Sequence, residues 1–321
     1  MKLSNLNGMI GRTALLAAVL ASSLLVSCGG GEQVQTFIPS RVIAFGDETS
    51  VINANGSKYT VNALAAGSTT AIDCNGNPIW VQSLAAAYGF VFPQCNTTAI
   101  SDPVSRIYAV NGAKVADLSA QIDQQLTAGG FVSTDLVTVL IGANDVIAQF
   151  QQYPAVGEDQ LQANLDAAGI ELATQVNRLA SLGAKVLIST IPDMGRTPYA
   201  GDRSVGSTNG NPAVLTRLST RFNDALLVNL TNDGHKIGLI QLDQYLIAVD
   251  NATQAGSFAS FANTTLAACQ TSAPLPTCTT GTLVTDAVSA TWLWADDRHV
   301  GATAQSALGS LAVTRAQNNP F

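Results

Sequence analysis

The chain is predicted to fold as an α/β protein, a three-layer doubly wound sandwich with a mostly parallel central sheet. Three observations predict it. Short apolar runs recur along the chain and are mostly ended by Gly or Pro, and a clear helical period separates two of them. The length, 321 residues, suits one large α/β domain. Arg41–Phe45 reads as the first buried strand, with Val42, Ile43 and Phe45 stopped by Gly46. The run Asp135–Ile141 ends at Gly142, Lys185–Ile191 ends at Pro192, and Lys236–Leu242 is the fourth. Runs apolar on both faces are what central parallel strands require. Between the second and third, Leu161, Leu165, Ala168, Leu172, Val176 and Leu179 recur at helical spacing, and Gly183 closes the helix. Thr216–Leu230 supplies the next helix. Alternation of strand and helix implies right-handed crossovers onto one sheet. Residues 51–105 and 251–285, rich in Asn, Thr, Gly and Ala, are expected as loops or small strands over the sheet edge. No internal repeat is evident. In such sheets the functional crevice lies beyond the carboxyl ends of the strands.

Composition narrows the function classes. Charged residues are 12% of the chain, against ~25% in soluble domains. Net charge is −7 and no basic run occurs, so nucleic-acid binding, which needs clustered cations, is set aside. At the N-terminus, Lys2 and Arg12 precede an apolar stretch from Thr13 to Val26, shaped like a signal-peptide core and short for a membrane span. Leu25-Val26-Ser27-Cys28 resembles the bacterial lipobox. That resemblance implies cleavage before Cys28 and diacylation of its thiol, with Gly29, Gly30 and Gly31 as a flexible tether. An ordinary secretory signal with an incidental Cys28 is the alternative. The expected organisation is a signal peptide over 1–27, lipidated Cys28 and tether over 28–39, and one domain over 40–321. The mature protein is expected on the bacterial cell envelope, lipid-anchored and facing the periplasm or the surface; a Gly after the lipidated cysteine is compatible with outer-membrane sorting.

Cys74, Cys95, Cys269 and Cys278 remain, an even number that suggests disulfides in an exported chain, with three connectivities open. Nearest-neighbour pairing, Cys74–Cys95 and Cys269–Cys278, is the simplest. A metal site has little support, because the chain has two histidines and no Cys-x-x-Cys spacing. No cofactor is expected.

Four short segments carry the chemistry, and their order matters. They are Phe45-Gly46-Asp47-Glu48-Thr49-Ser50, Tyr108-Ala109-Val110-Asn111-Gly112-Ala113, Gly142-Ala143-Asn144-Asp145 and Asp296-Asp297-Arg298-His299. A glycine lets a backbone N–H approach a ligand closely, and an asparagine at a strand end presents a side-chain donor. A histidine three residues after an aspartate can be oriented by that carboxylate. Together with Gly183-Ala184-Lys185-Val186 and the turn Pro192-Asp193-Met194-Gly195-Arg196-Thr197-Pro198, these segments resemble the SGNH (GDSL) ester hydrolases over about residues 40–310. The resemblance implies Gly112 and Asn144 as the oxyanion hole, Asp296 as orienter and His299 as base. Simpler readings stand beside each: Gly112 as a turn residue, Asn144 and Asp145 as caps of the following helix, His299 as a surface histidine. His235 has no partner pattern.

Glu48 stands where the family has its nucleophilic serine. It has no hydroxyl for His299 to activate. Thr49 and Ser50 are candidates for a shifted nucleophile, although helix capping suits them better. Three further readings are open: a pocket that binds without turnover, Glu48 as nucleophile, or Glu48 and His299 together activating water. A carboxylate facing His299 should raise that histidine's pKa. The expectation is a cell-envelope hydrolase of acyl or acetyl esters on lipids or glycans. The rival is a catalytically inactive lipoprotein binding an acylated lipid or glycan, and a weaker option is acyl transfer.

Overall fold

A computed structural model describes residues 37–201, 211–257 and 260–321. Cys28, the apolar stretch before it and the glycine tether lie outside the described residues. The packed body begins at Phe37, whose ring meets Phe321 edge-on at 5.5 Å, so residues 37–39 belong to it.

Five parallel strands form the central sheet: β1 (Arg41–Gly46), β4 (Arg106–Ile107), β5 (Asp135–Leu140), β6 (Lys185–Ser189) and β7 (Ile237–Ile240). The spatial order is β4-β1-β5-β6-β7. This is the flavodoxin-like order, in which the chain reverses direction of growth between β1 and β5 and opens a crevice there. The four expected strands are present, each trimmed at its C-terminal end or at both ends where the ladder stops, except β1, which runs on to Gly46. The edge strand β4 was not anticipated; it is two residues long, too short for periodicity to register.

Helices flank this sheet. α1 (Trp80–Ala87) packs on α7 (Ala302–Asn318), and both reach the sheet. α4 (Glu158–Ser181) packs on α5 (Pro212–Asn229), with α2 (Leu118–Thr127) and α3 (Ala143–Phe150) beside α4. The expected apolar stripe of α4 is buried: Leu161, Leu165, Leu172, Val176 and Leu179 are at 0% exposure. α5 starts at Pro212, a residue suited to the first helical turn, and Asn211 caps it by accepting from the Val214 N–H. α6 (Leu242–Gln254) follows β7 directly. At the base of β1, Arg41 grips Asp135 with two N–H donors, 2.7 and 2.9 Å, fixing the β1–β5 register.

The loop-rich regions are more structured than their composition suggests. Residues 51–105 hold the β2–β3 hairpin (Ala63–Leu64, Ile72–Asp73) and α1, whose Trp80 is fully buried. In the second region, β8 (Asn263–Ala267) pairs in parallel with β9 (Trp292–Trp294). Val61, Ala268, Trp292 and Ala295 form a small second core with Cys269 and Cys278. The disulfides are Cys74–Cys95 and Cys269–Cys278, with Cα separations of 5.7 and 5.8 Å. Among the described residues no helix is long and apolar enough to cross a membrane.

Candidate active site

The site lies at the carboxyl ends of β1 and β5, where the sheet changes direction. β1 ends at Gly46, whose φ of +131° is open to glycine; a Cβ there would lie 2.0 Å from the Leu140 carbonyl oxygen. The close approach of the two strand ends is what brings the following turns together. Asp47 then caps a single 3-10 turn, its carboxylate accepting from the Thr49 N–H at 3.0 Å. That turn aims Glu48 inward. The capping expected of Thr49 and Ser50 falls instead to Asp47, and the Ser50 hydroxyl accepts from Trp80 Nε1 at 3.1 Å, fully buried. The Ser50 hydroxyl is thus not directed as a nucleophile would be, while Thr49 lines the cleft.

Glu48 is 5% exposed, and both its oxygens are engaged. Oε2 accepts from the Gly112 N–H at 2.8 Å and from Asn144 Nδ2 at 3.0 Å. Oε1 accepts from Asn144 Nδ2 at 3.2 Å and faces His299 Nε2 at 2.9 Å. His299 Nδ1 in turn meets Asp296 Oδ2 at 2.7 Å, and the Asp296 carboxylate also accepts the backbone N–H groups of Arg298 and His299. All the sequence-predicted site residues therefore converge: Glu48, Gly112, Asn144, Asp296 and His299. The carboxylate of Glu48 fills the position where the two donors would hold a substrate oxyanion.

Each donor is held by its own element. Gly112 has φ +74°, which directs its N–H at Glu48 and which an L side chain would strain. Its loop hangs from β1 through Tyr108 N–H to Ala44 O and Val110 N–H to Gly46 O. Asn144 and Asp145 do not cap α3, whose N-cap is Gly142. Asn144 serves Glu48, and the Asp145 carboxylate accepts from the Val115 N–H at 3.0 Å, bracing the loop that carries Gly112. His299 is set by the β8–β9 strap: Ala295 N–H donates to His299 O, and Thr60 Oγ1 to Val300 O. His235 precedes β7 at the amino end of the strand, the end opposite the site, and its ring takes no part.

The electrostatics follow from burial and pairing. For His299, burial favours the neutral ring, but the charge and hydrogen bond of Asp296 and then those of Glu48 push its pKa up to about 10. Burial alone would raise Glu48 and Asp296; for each, the His299 charge and hydrogen bond outweigh it and hold the carboxylate below its ordinary range. The resting centre is thus an imidazolium between two carboxylates. Asp47 is pushed up to about 7, first by burial and then by the Glu48 charge.

Three neighbours escaped sequence reading. Arg298 lines the cleft with its guanidinium 5.2 Å from the Tyr199 ring centroid and paired to Asp297 at 3.0 Å. Tyr59 lies 6.3 Å from the His299 ring. Asp47 shapes both the turn and the local charge. Arg298 and Asp47 sit inside recognised segments and were open to notice; nothing local marks Tyr59. The remaining cavity against Glu48 and His299 measures about 20 Å³, room for one water. Leu140, Ala143, Pro192 and Leu242 form its apolar wall. Among the described residues no group of side chains could hold a metal ion.

The family model for GDSL-like lipases and acylhydrolases matches residues 42–312. No curated protein sequence matches the chain. Solved structures similar to it include a lipolytic G-D-S-L protein from Veillonella parvula, at 15% identity over 85% of this chain and 96% of that one, TM-score 0.43. A catalytic mutant of an acetylxylan esterase from Geobacillus stearothermophilus is 14% identical over 88% and 96%, TM-score 0.47. An extracellular lipase from Streptomyces rimosus is 16% identical over 87% and 99%, TM-score 0.44.

Proposed function

The chain belongs to the GDSL-like lipase/acylhydrolase family, and on that premise we propose that it hydrolyses carboxylic esters of lipids or glycans at the bacterial cell envelope. One observation carries the reading: the Gly112 N–H and Asn144 Nδ2 converge on one oxygen, beside an imidazole oriented by a carboxylate. Ester hydrolysis needs that arrangement. An ester carbonyl oxygen that displaces Glu48 Oε2 from this position meets both donors. His299 Nε2, once neutral, takes a proton from water as its oxygen adds to the carbonyl carbon. The oxyanion rests on Gly112 and Asn144. Its collapse breaks the bond to the alcohol, which leaves with the proton held by His299.

Glu48 is the brake on this reaction. While its carboxylate fills the hole, an external ester has no donors and His299 keeps its proton. Wild-type turnover of external esters is therefore slow. Glu48→Ala vacates the hole and should raise hydrolysis of short aryl esters; Glu48→Ser, which puts a hydroxyl beside His299, should raise it further; His299→Ala should lose ~10²–10⁴-fold. If neither folded Glu48 variant gains activity, the assignment of the hole is wrong. The filled hole also favours a second reading, binding of an acylated ligand without turnover, which predicts no wild-type hydrolysis at all. Envelope anchoring is supported by Leu25-Val26-Ser27-Cys28, with acyl chains on Cys28 as the anchor.

A further inference from the structure

We propose a second activity for this centre: Glu48 attacks the saturated carbon of a small alkyl electrophile, and His299 then directs water onto the resulting Glu48 ester. The inference rests on the reading above only for the roles of the hole and the His299–Asp296 pair.

The engagement of the two carboxylate oxygens carries it. If Glu48 attacked an external ester carbonyl, the developing oxyanion would find no donors, because Glu48 Oε2 already takes both the Gly112 N–H and Asn144 Nδ2. An ester built on Glu48 itself is different. Its carbonyl oxygen already lies in the hole, and its carbonyl carbon is Glu48 Cδ. The hole as occupied therefore serves attack at Cδ. Oε1 takes no bond from Gly112; it faces His299 Nε2 at 2.9 Å and, more loosely, Asn144 Nδ2 at 3.2 Å, and it is the oxygen that bonds carbon, carboxylates being competent nucleophiles in covalent catalysis.

The surroundings fit a substrate of this class. Leu140, Ala143, Pro192 and Leu242 offer an apolar wall to a short alkyl group, while Arg298 lines the same cleft and can meet an anionic leaving group. The enclosed cavity of about 20 Å³ takes one water and no butyl group, so the alkyl chain must lie along this wall toward the mouth of the cleft, and the water of the second step enters once the leaving group has gone. Charge also changes in the needed direction. At rest Glu48 is ionised, as a nucleophile must be, and His299 is protonated. Alkylation removes the Glu48 charge, so His299 loses one of the two carboxylates that hold its proton, releases that proton to solvent and becomes a base.

The steps balance. Glu48 Oε1 forms a bond to the substrate carbon as the leaving group departs with the bonding pair. His299 takes a proton from water, whose oxygen adds to Cδ, and the negative charge passes to Oε2 on Gly112 and Asn144. Collapse breaks the bond between Cδ and Oε1, and the alkoxide leaves as an alcohol with the proton from His299. For a halide the sum is alkyl halide plus water giving alcohol, halide and a proton; for an epoxide the leaving oxygen stays attached to the carbon chain and takes the proton that His299 gives up, so the sum is epoxide plus water giving diol. One oxygen of Glu48 is exchanged for that of water.

The test uses the purified protein with two probes, 1-bromobutane and 1,2-epoxybutane. Wild type should release bromide or open the epoxide. His299→Gln should slow the second step by ~10²–10⁴-fold and accumulate a stoichiometric alkyl ester on the peptide containing Glu48, seen by mass spectrometry. A single turnover in oxygen-18 water should label Glu48 and leave the alcohol unlabelled. Glu48→Ala should abolish this activity while raising aryl ester hydrolysis, two effects of opposite sign. Label entering the alcohol in the first turnover would overturn the proposal, as would a folded His299→Gln or His299→Ala protein that gives no adduct with either probe. Aryl ester turnover without any adduct defeats this inference and leaves the acyl-ester reading standing; adduct formation with no aryl ester turnover in any variant does the reverse.

Discussion

His299 concentrates the consequences of Glu48. A serine in that place would leave the imidazole with one carboxylate; here it has two, at 2.7 and 2.9 Å. Its proton is held to a pKa of about 10, so its stabilising contribution is full below the ordinary 6.5 and is lost as pH rises through about 10. Asp47, raised first by burial and then by Glu48, works in the same direction: its contribution is full below 3.8 and gone above about 7. The urea midpoint should therefore fall from weakly acidic buffer up to about pH 8, above which the lowered Lys58 works the other way, and Glu48→Gln should make that fall shallower. Nitrogen-15 shifts of the His299 ring should show imidazolium through neutral pH in the wild type and an earlier deprotonation in Glu48→Gln. A neutral His299 ring at neutral pH would refute the paired state. The rise in this pKa was legible from the sequence, because it needs only a carboxylate facing a histidine. The seating of Oε2 in the hole was not legible, since it depends on side-chain length measured against the distance between two strand ends.

Position in the chain hid the devices that hold the segment bearing Tyr59. Lys58 is fully buried, and its ammonium donates to the carbonyls of Cys74, Gly76 and Asn77 at 2.9, 2.7 and 2.9 Å. Burial lowers its pKa to about 8. Asn62, also fully buried, donates from Nδ2 to the carbonyls of Pro276 and Cys278 at 2.9 Å each, tying the disulfide loop to the segment bearing Tyr59. Replacing a buried ion pair by apolar residues can be stabilising when both partners go. Here the acceptors are backbone carbonyls and stay behind, so Lys58→Met should cost about 2–3 kcal/mol, read as a lower urea midpoint at unchanged slope. A stabilised Lys58→Met protein would show that those carbonyls find other donors. The strands were readable because burial on both sides demands unbroken apolar runs. α1, α2 and α6 were not, because they are short or lie beside loops whose polar composition masks a narrow buried stripe.

The five-strand order places the ends of β1 and β5 side by side, and from that single adjacency the Glu48 turn and the Asn144 helix start come to share a site. The disulfide strap then brings in Asp296 and His299 from far along the chain. The proposed anchor is tested on the intact protein: Cys28→Ala should move it from the membrane fraction to the soluble one, because a buried acyl chain contributes about 0.8 kcal/mol per CH₂ and the variant would carry none. Retention of Cys28→Ala in membranes would refute the anchor. The sequence by itself determined the α/β class, the four central strands, the chemical identity of the five site residues and, by resemblance, their family, since these depend on local pattern and on residue type at a strand end. Tertiary structure alone decided which oxygen of Glu48 meets which donor, that Asp47 rather than Thr49 or Ser50 caps the turn, and that Lys58 and Asn62 tie the segment bearing Tyr59 to the loops of the two disulfides. Those outcomes depend on distances between segments remote in the chain, and no local run of residues encodes them.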